Sequence, residues 1–227
     1  VQRYLDHLTV ERGLAANTVS SYGRDLAQFA GFLEKRGVSE PAEIDEGCVV
    51  AFLAELGRNG YAAASTARKM SAVRSLIKFL CAEGRITGSP VARIEPARPQ
   101  KKLPKSLSVE EVDRLLKAPD VHEDTGLRDK AMLETLYACG LRVSELISVK
   151  VNEVNFSAGF LRCVGKGGKE RVVPIGEVAL EWIKAYVQSA RAKCDGDGRS
   201  EYLFLTKQGR PMSRVMFWKI IRKYAVK

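Results

Sequence analysis

Histidine is scarce in this chain, and its cysteines follow no motif. The 227 residues include two histidines, His7 and His122, which are too few for a histidine-based zinc site. The five cysteines are odd in number and form no Cys-x-x-Cys pair, which is typical of reduced thiols that fill core space. The sequence also has no run of 18 apolar residues and no signal-peptide pattern, so we expect a cytoplasmic protein.

Acidic residues are too few to balance the basic ones. The chain has 27 Asp and Glu against 37 Lys and Arg, a formal net charge of +10 and a pI of about 9.4. Nearly all of this excess falls after residue 95. Because a strongly basic surface attracts polyanions, the composition favours a nucleic acid as the partner.

Apolar spacing and turn residues divide the chain into three parts. Residues 1–95 have helical periodicity, with Asn17 or Thr18 and Ser65 as expected N-caps. Residues 96–106, with the sequence PARPQKKLPKS, contain three prolines and no acid, which predicts an extended linker. Residues 107–227 predict a mostly helical domain with one small antiparallel sheet, whose strands are expected at 151–156, 160–164 and 170–174.

One helix of the first part has a basic face. At 100° per residue, Met70, Val73 and Ile77 fall on one side of this helix, and an acid-free set of cations and hydroxyls falls on the other. Such a face suits a phosphate backbone. A solvated helix surface is the alternative. The basic face comprises Arg68, Ser71, Arg74, Ser75 and Lys78.

Two stretches of the second domain have the residue types of a phosphate site. In Gly165–Lys169, glycines at a hairpin tip allow close backbone approach to a ligand. Lys166 places a cation on a long side chain at this flexible tip, from which it can extend into a groove. In YACGLRVSEL, Gly140 ends a helix, and Arg142 is followed three residues later by Glu145. An arginine can fork two donors onto a phosphate while the glutamate orients it. Taken separately, these residues also fit a solvated turn lysine and an ordinary ion pair.

Taken together, GLRVSEL and GKGGKERVVPIG resemble the tyrosine site-specific recombinases of the phage integrase family. The resemblance extends to NTVSSYGRDL, STARKMSAVRSL, LPKSLS and FWKIIRKYAV, and so spans essentially the whole chain. It implies a mainly α fold, with a four-helix, SAM-like core-binding domain followed by a mostly helical catalytic domain that contains a small three-stranded antiparallel sheet.

The resemblance also implies a reaction and its residues. Arg142 would hold the scissile phosphate, Lys166 would protonate the leaving 5′ oxygen, and Glu145 would support the site. A tyrosine attacks the phosphate to form a 3′-phosphotyrosyl intermediate, so we expect neither a metal nor any other cofactor. The expected contacts with duplex DNA are Asn17, Ser21, Tyr22, Arg24, Arg68, Arg74, Lys78, Lys101, Lys102, Lys169 and Arg171.

The family pattern further implies a clamp around duplex DNA and a related recombinase subunit as partner, in a heterotetramer that resolves chromosome dimers. This chain departs from the pattern, because it has no His-x-x-Arg box and none of its seven tyrosines has the context of the nucleophile. We therefore expect it to be truncated before that segment and, as given, to bind DNA without cleaving it. A DNA-binding accessory protein without chemistry and an RNA-binding basic protein are the alternatives.

Overall fold

The computed structural model describes residues 1–94, 106–165, 167–196 and 198–226. Its packing divides the chain into two compact units, Val1–Pro104 and Lys105–Lys227. The expected linker lies almost wholly outside the described residues. Among the described residues, no helix has both the length and the apolar character needed to cross a bilayer.

The N-terminal unit is a four-helix domain. Its core contains Phe29, Phe52 and Ile77, each at most 1 % exposed. The ring of Phe52 lies 5.0 Å from that of Phe29, between centroids, so α2 and α3 are joined by an aromatic pair. The helices are α1 (Gln2–Val10), α2 (Ala16–Lys35), α3 (Glu46–Arg58) and α4 (Ala63–Ala82), with a 3₁₀ turn at Pro41–Glu43.

The C-terminal unit is mostly helical and contains one sheet. The three strands are antiparallel in the order β1-β2-β3, and β2 and β3 have the expected bounds. The first strand is shorter than expected, because residues 151–153 form a 3₁₀ turn. The elements are α5 (Val109–Lys117), α6 (Asp124–Cys139), α7 (Val143–Ser148), β1 (Val154–Asn155), β2 (Phe160–Val164), β3 (Glu170–Pro174), α8 (Glu177–Tyr186), a π-helical turn (Val187–Arg191), α9 (Ala192–Cys194) and α10 (Arg214–Ala225).

Helix α6 is surrounded by the rest of its unit, and it buries charged residues as well as apolar ones. Lys130 donates to Glu134 at 2.6 Å, and Arg128 donates to Asp129 at the same distance. Buried charges are tolerated when they are paired in this way. The helix ends at Gly140, whose φ of 56° is in the left-handed region that favours glycine, and α7 begins three residues later.

The mainly α fold with a three-stranded antiparallel sheet is confirmed, but two expected helix caps are wrong. Helix α4 begins at Ala63 rather than after Ser65, and α2 begins at Ala16, ahead of Asn17. Neither helix has a side-chain cap. Helices α5 and α10 do have side-chain caps, because the hydroxyls of Ser108 and Ser213 accept backbone N–H bonds in their first turns.

Candidate active site

A buried carboxylate lies at the start of α7. Glu145 is 3 % exposed, and its side chain accepts the backbone N–H of Arg142 at 2.8 Å, which closes the first turn of the helix. The same carboxylate accepts a hydrogen bond from Nη1 of Arg142, also at 2.8 Å. Arg142 is therefore fixed at both its backbone and its guanidinium, although 64 % of its side chain remains exposed.

A second arginine reaches this carboxylate from the sheet. Arg171 on β3 donates from Nη1 and Nη2 to the two oxygens of Glu145, each at 2.9 Å. This bidentate geometry is the strongest that arginine and a carboxylate form. We call Arg142, Glu145 and Arg171 the Glu145 cluster. It carries one negative and two positive charges, and both guanidiniums are partly exposed, so it presents a net positive surface to an anion.

The charges of the cluster shift the acid–base properties of its carboxylate. The hydrogen bonds from Arg171, together with those from Arg142, outweigh burial and lower the pKa of Glu145 to about 2. The pKa of Arg171 is raised by the same contact. Glu145 is therefore ionised at neutral pH and acts as a fixed anchor for the two arginines.

This shift predicts an acid-labile contribution to stability. Because the folded pKa is depressed, the contribution is complete above the unfolded pKa of about 4.5 and is lost as the pH falls towards 2. With the arginines partly screened by solvent, we expect the loss between about pH 7 and about pH 3 to be on the order of 1 kcal/mol. Urea unfolding followed by tryptophan fluorescence reports this unit, since both tryptophans, Trp182 and Trp218, lie in it.

The matched control for that measurement is Glu145→Gln, in which every other carboxyl is unchanged. The variant should be less stable than the wild type at neutral pH and should lose less stability on acidification. If the two proteins lost the same free energy of unfolding between these pH values, the cluster would not have the stabilising role assigned to it.

The tip of the β2–β3 hairpin lies against the Glu145 cluster. A Cβ placed on Gly165 would be 3.1 Å from Nη1 of Arg171 and 3.7 Å from Oε1 of Glu145. Glycine at this position allows the approach without displacing the guanidinium of Arg171. The N–H of Gly165 donates to the carbonyl of Lys169 at 2.7 Å, and Gly167 and Gly168 have φ of 79° and 74°. The hairpin thus closes as a tight turn, and its Gly165 lies against Arg171 and Glu145.

The structure places the remaining candidate residues as follows. Lys166, Lys101 and Lys102 lie outside the described residues. Lys169 is exposed at the hairpin tip. In the N-terminal unit, Asn17, Arg24, Arg68 and Lys78 are exposed, and Ser21, Tyr22 and Arg74 are half-buried. Arg74 donates to the carbonyl of Ile94, and Arg68 pairs with a buried acid, Asp25, so an acid from α2 reaches the basic face of α4.

Tyr224 is part of the core of its unit. It is 4 % exposed, its hydroxyl donates to Asp129 at 3.0 Å, and burial raises its pKa. Its hydroxyl is thus held in the interior by Asp129. Among the described residues, no group of three or more His, Cys, Asp or Glu side chains is arranged to hold a metal ion.

One contact of a candidate residue was not predicted from the sequence. The sequence predicts a phosphate contact for Arg171, and the structure adds a contact between Arg171 and Glu145. A signal was present, because Arg171 and Val173 share the half-buried face of β3, while Glu170, Val172 and Pro174 are exposed. Strand alternation therefore directs Arg171 towards the body of the unit.

Comparison with known protein families supports, for both units, the family resemblance that the sequence motifs indicate. The family described as Phage integrase family matches residues 105–227. The chain belongs to this family. The family described as Phage integrase, N-terminal SAM-like domain matches residues 1–84.

Several relatives in the family are similar over nearly the whole chain. A tyrosine recombinase XerD from Halalkalibacterium halodurans is 40 % identical over 226 residues, which is 99 % of this chain and 76 % of that protein. One from Pseudomonas putida is 42 % identical over 225 residues, covering 99 % of this chain and 75 % of that protein. These identities extend through both units.

Solved structures share the fold. An XerH site-specific recombinase bound to a palindromic difH substrate has a TM-score of 0.73 at 20 % identity and covers 95 % of this chain and 65 % of that one. A lambda integrase fragment bound to DNA has a TM-score of 0.70 at 20 % identity and covers 99 % of this chain and 75 % of that one.

Proposed function

We propose that this protein acts in site-specific DNA recombination, in which duplex DNA is cut and rejoined through a 3′-phosphotyrosyl intermediate. The observation that supports this most directly is the Glu145 cluster beside the hairpin tip. It holds an exposed arginine in a fixed orientation next to the turn that contains Lys166. Fixed cations at one point of a surface stabilise the charge that develops on a phosphoryl group in the transition state.

In this proposal each residue has a separate task. Arg142 binds the non-bridging oxygens of the scissile phosphate, because its guanidinium is planar and always charged. Glu145 holds Arg142, and Arg171 holds Glu145 while it adds positive charge. Lys166 donates the proton that the leaving 5′ oxygen requires. The energy of the broken bond is kept in the phosphotyrosyl linkage, so rejoining needs no external energy source.

We further propose duplex DNA and a related recombinase subunit as partners, assembled as a heterotetramer that resolves chromosome dimers in the cytoplasm. Support comes from the relatives named as XerD recombinases and from a solved lambda integrase described as a tetramer bound to a Holliday junction. The expected DNA contacts on α2, α4, the linker and the hairpin supply the positive surface for such an assembly.

The first test is the salt dependence of binding. Because each neutralised phosphate contributes about −0.9 to the slope of log affinity against log salt, several simultaneous contacts should give a slope of about −4 or steeper. Fluorescence anisotropy with a labelled mixed-sequence duplex measures this slope. A slope near zero would contradict the proposal, and so would displacement of the duplex by structured RNA at equal concentration.

A DNA-binding accessory protein without chemistry is the second candidate. These 227 residues contain no His-x-x-Arg box. We propose accordingly that the chain as given binds DNA without cutting it. Incubation with a nicked duplex that traps phosphotyrosyl adducts tests this, because a covalent protein–DNA band from these 227 residues alone would exclude the accessory role.

A further inference from the structure

A second buried carboxylate lies in the N-terminal unit, between α2 and α4. Asp25 is 2 % exposed. Its Oδ1 accepts a hydrogen bond from Nζ of Lys69 at 3.1 Å, and its Oδ2 accepts one from Nη1 of Arg68. Both cations come from adjacent positions of α4, so one acid in the helix interface contacts two basic residues.

The two cations differ in their exposure. The side chain of Lys69 is 8 % exposed; its Nζ also donates to Oε1 of Gln28 at 2.6 Å and lies 4.9 Å from the ring centroid of Tyr61. The side chain of Arg68 is 48 % exposed. Lys69 therefore compensates the buried charge of Asp25, and Arg68 brings an additional positive charge to the surface.

Stability alone does not account for this arrangement. A buried ion pair is often no more stabilising than apolar side chains of the same volume, because desolvation offsets the attraction. What the pair does provide is a fixed orientation. Asp25 occupies Nη1 of Arg68, and the five N–H donors of a guanidinium leave other donors of Arg68 for a ligand.

The surroundings of Arg68 are suited to a phosphate backbone. On α4, Ser71 and Ser75 follow Arg68 at helical spacings of three and seven residues, so they share its face. On α2, Ser21 lies four residues before Asp25 and shares the face that Asp25 presents to α4. Arg68 therefore shares its face of α4 with an exposed hydroxyl, that of Ser71.

We propose that Asp25 is a positioning residue for DNA binding, which holds the guanidinium of Arg68 in the orientation that contacts a backbone phosphate. This inference rests on the proposed function, because it requires that the protein bind duplex DNA. It makes an unusual prediction about charge. Removal of an acid from a DNA-binding surface ordinarily strengthens binding, because repulsion is relieved. Removal of Asp25 should weaken it, because Arg68 is no longer held.

The experiment compares Asp25→Asn, Arg68→Ala and the double variant by anisotropy with the labelled mixed-sequence duplex. We expect Arg68→Ala to weaken binding roughly tenfold and Asp25→Asn about fivefold. Arg68→Ala should also make the salt slope shallower by about 0.9, the contribution of one phosphate. The double variant should bind like Arg68→Ala alone, because Asp25 acts through Arg68.

The matched control is Glu34→Gln, which removes one negative charge from an exposed position on the same helix and should change affinity by about twofold or less, towards tighter binding. If Asp25→Asn is unfolded at the assay temperature in a thermal melt, Asp25→Asn with Lys69→Met replaces it, because no buried cation is then left without its acid. The same weakening is expected.

Unchanged or tighter binding by the folded Asp25 variant would overturn the inference, and so would additive losses in the double variant. Either result could occur while the wild type binds duplex with a steep salt slope, in which case the proposed function stands and only the role of Asp25 is lost. If the wild-type protein did not bind duplex DNA, both the proposed function and the proposed role of Asp25 would be contradicted.

Discussion

Arg142→Lys should abolish DNA cleavage as completely as Arg142→Ala, with a rate loss of about 10³-fold for either variant. The lysine keeps the charge but has a single nitrogen, whereas the guanidinium donates to Oε1 of Glu145 from Nη1 and still has donors for the phosphate. A lysine at this position would pair with Glu145 through its one nitrogen. It could not also donate the two parallel hydrogen bonds that a guanidinium gives to a phosphate. Charge alone is therefore insufficient for the role that we propose.

The measurement requires a chimaera in which this chain is followed by the family's His-x-x-Arg and tyrosine segment. Single-turnover cleavage of a nicked duplex gives the rate, and anisotropy gives the affinity of the same proteins. The control pair is Arg162→Lys and Arg162→Ala, since Arg162 is an exposed arginine on the neighbouring strand β2. Both controls should cleave at nearly the wild-type rate. Near-normal cleavage by Arg142→Lys would show that any cation serves at residue 142.

Much of the fold could be predicted from local sequence because its signals are local. The capping box that begins at Ser108, the glycine that ends α6, and the two alternating strands of the hairpin all involve residues a few positions apart. The N-termini of α2 and α4 could not be placed in this way. Both helices begin at alanines without side-chain caps, so the nearest polar residue does not mark the first residue of the helix.

The contacts of Glu145 with Arg171 and of Asp25 with Arg68 could not be predicted from the sequence, for a different reason. Arg171 is 26 residues from Glu145, and their contact depends on the register of β2 with β3, in which Cys163 pairs with Arg171. Arg68 is 43 residues from Asp25, and that contact depends on how α2 packs against α4. Sequence periodicity shows which face of an element a residue occupies, but it does not show which residue of another element it meets.

The Glu145 cluster and the group around Asp25 have the same arrangement. In each, a carboxylate that is at most 3 % exposed takes one position on an arginine whose side chain is about half exposed or more. A free arginine side chain loses considerable rotamer entropy when it binds a ligand, and an arginine already held by a buried acid has lost part of it beforehand. Buried acids within a basic protein are thus consistent with anion binding, because they fix the orientation of the cations.

Lys166→Ala should slow cleavage by roughly 10²- to 10⁴-fold, the range for loss of a general acid, and should leave duplex affinity nearly unchanged. The reason is chemical: an alkoxide leaving group is strongly basic and needs a proton as the bond breaks. The described residues on either side of this lysine are joined by the hydrogen bond from Gly165 to Lys169, and Gly165 lies against Glu145 and Arg171.

A substrate in which sulfur replaces the leaving 5′ oxygen separates this role from simple charge. A thiolate is a much weaker base than an alkoxide and leaves without a proton. In the same chimaera, the defect of Lys166→Ala should therefore disappear on the sulfur substrate, while that of Arg142→Ala should persist. Lys169→Ala, at the same tip, should weaken binding and leave the rate of bound substrate unchanged. A Lys166 defect of equal size on both substrates would mean that the lysine stabilises phosphate charge and does not supply the proton.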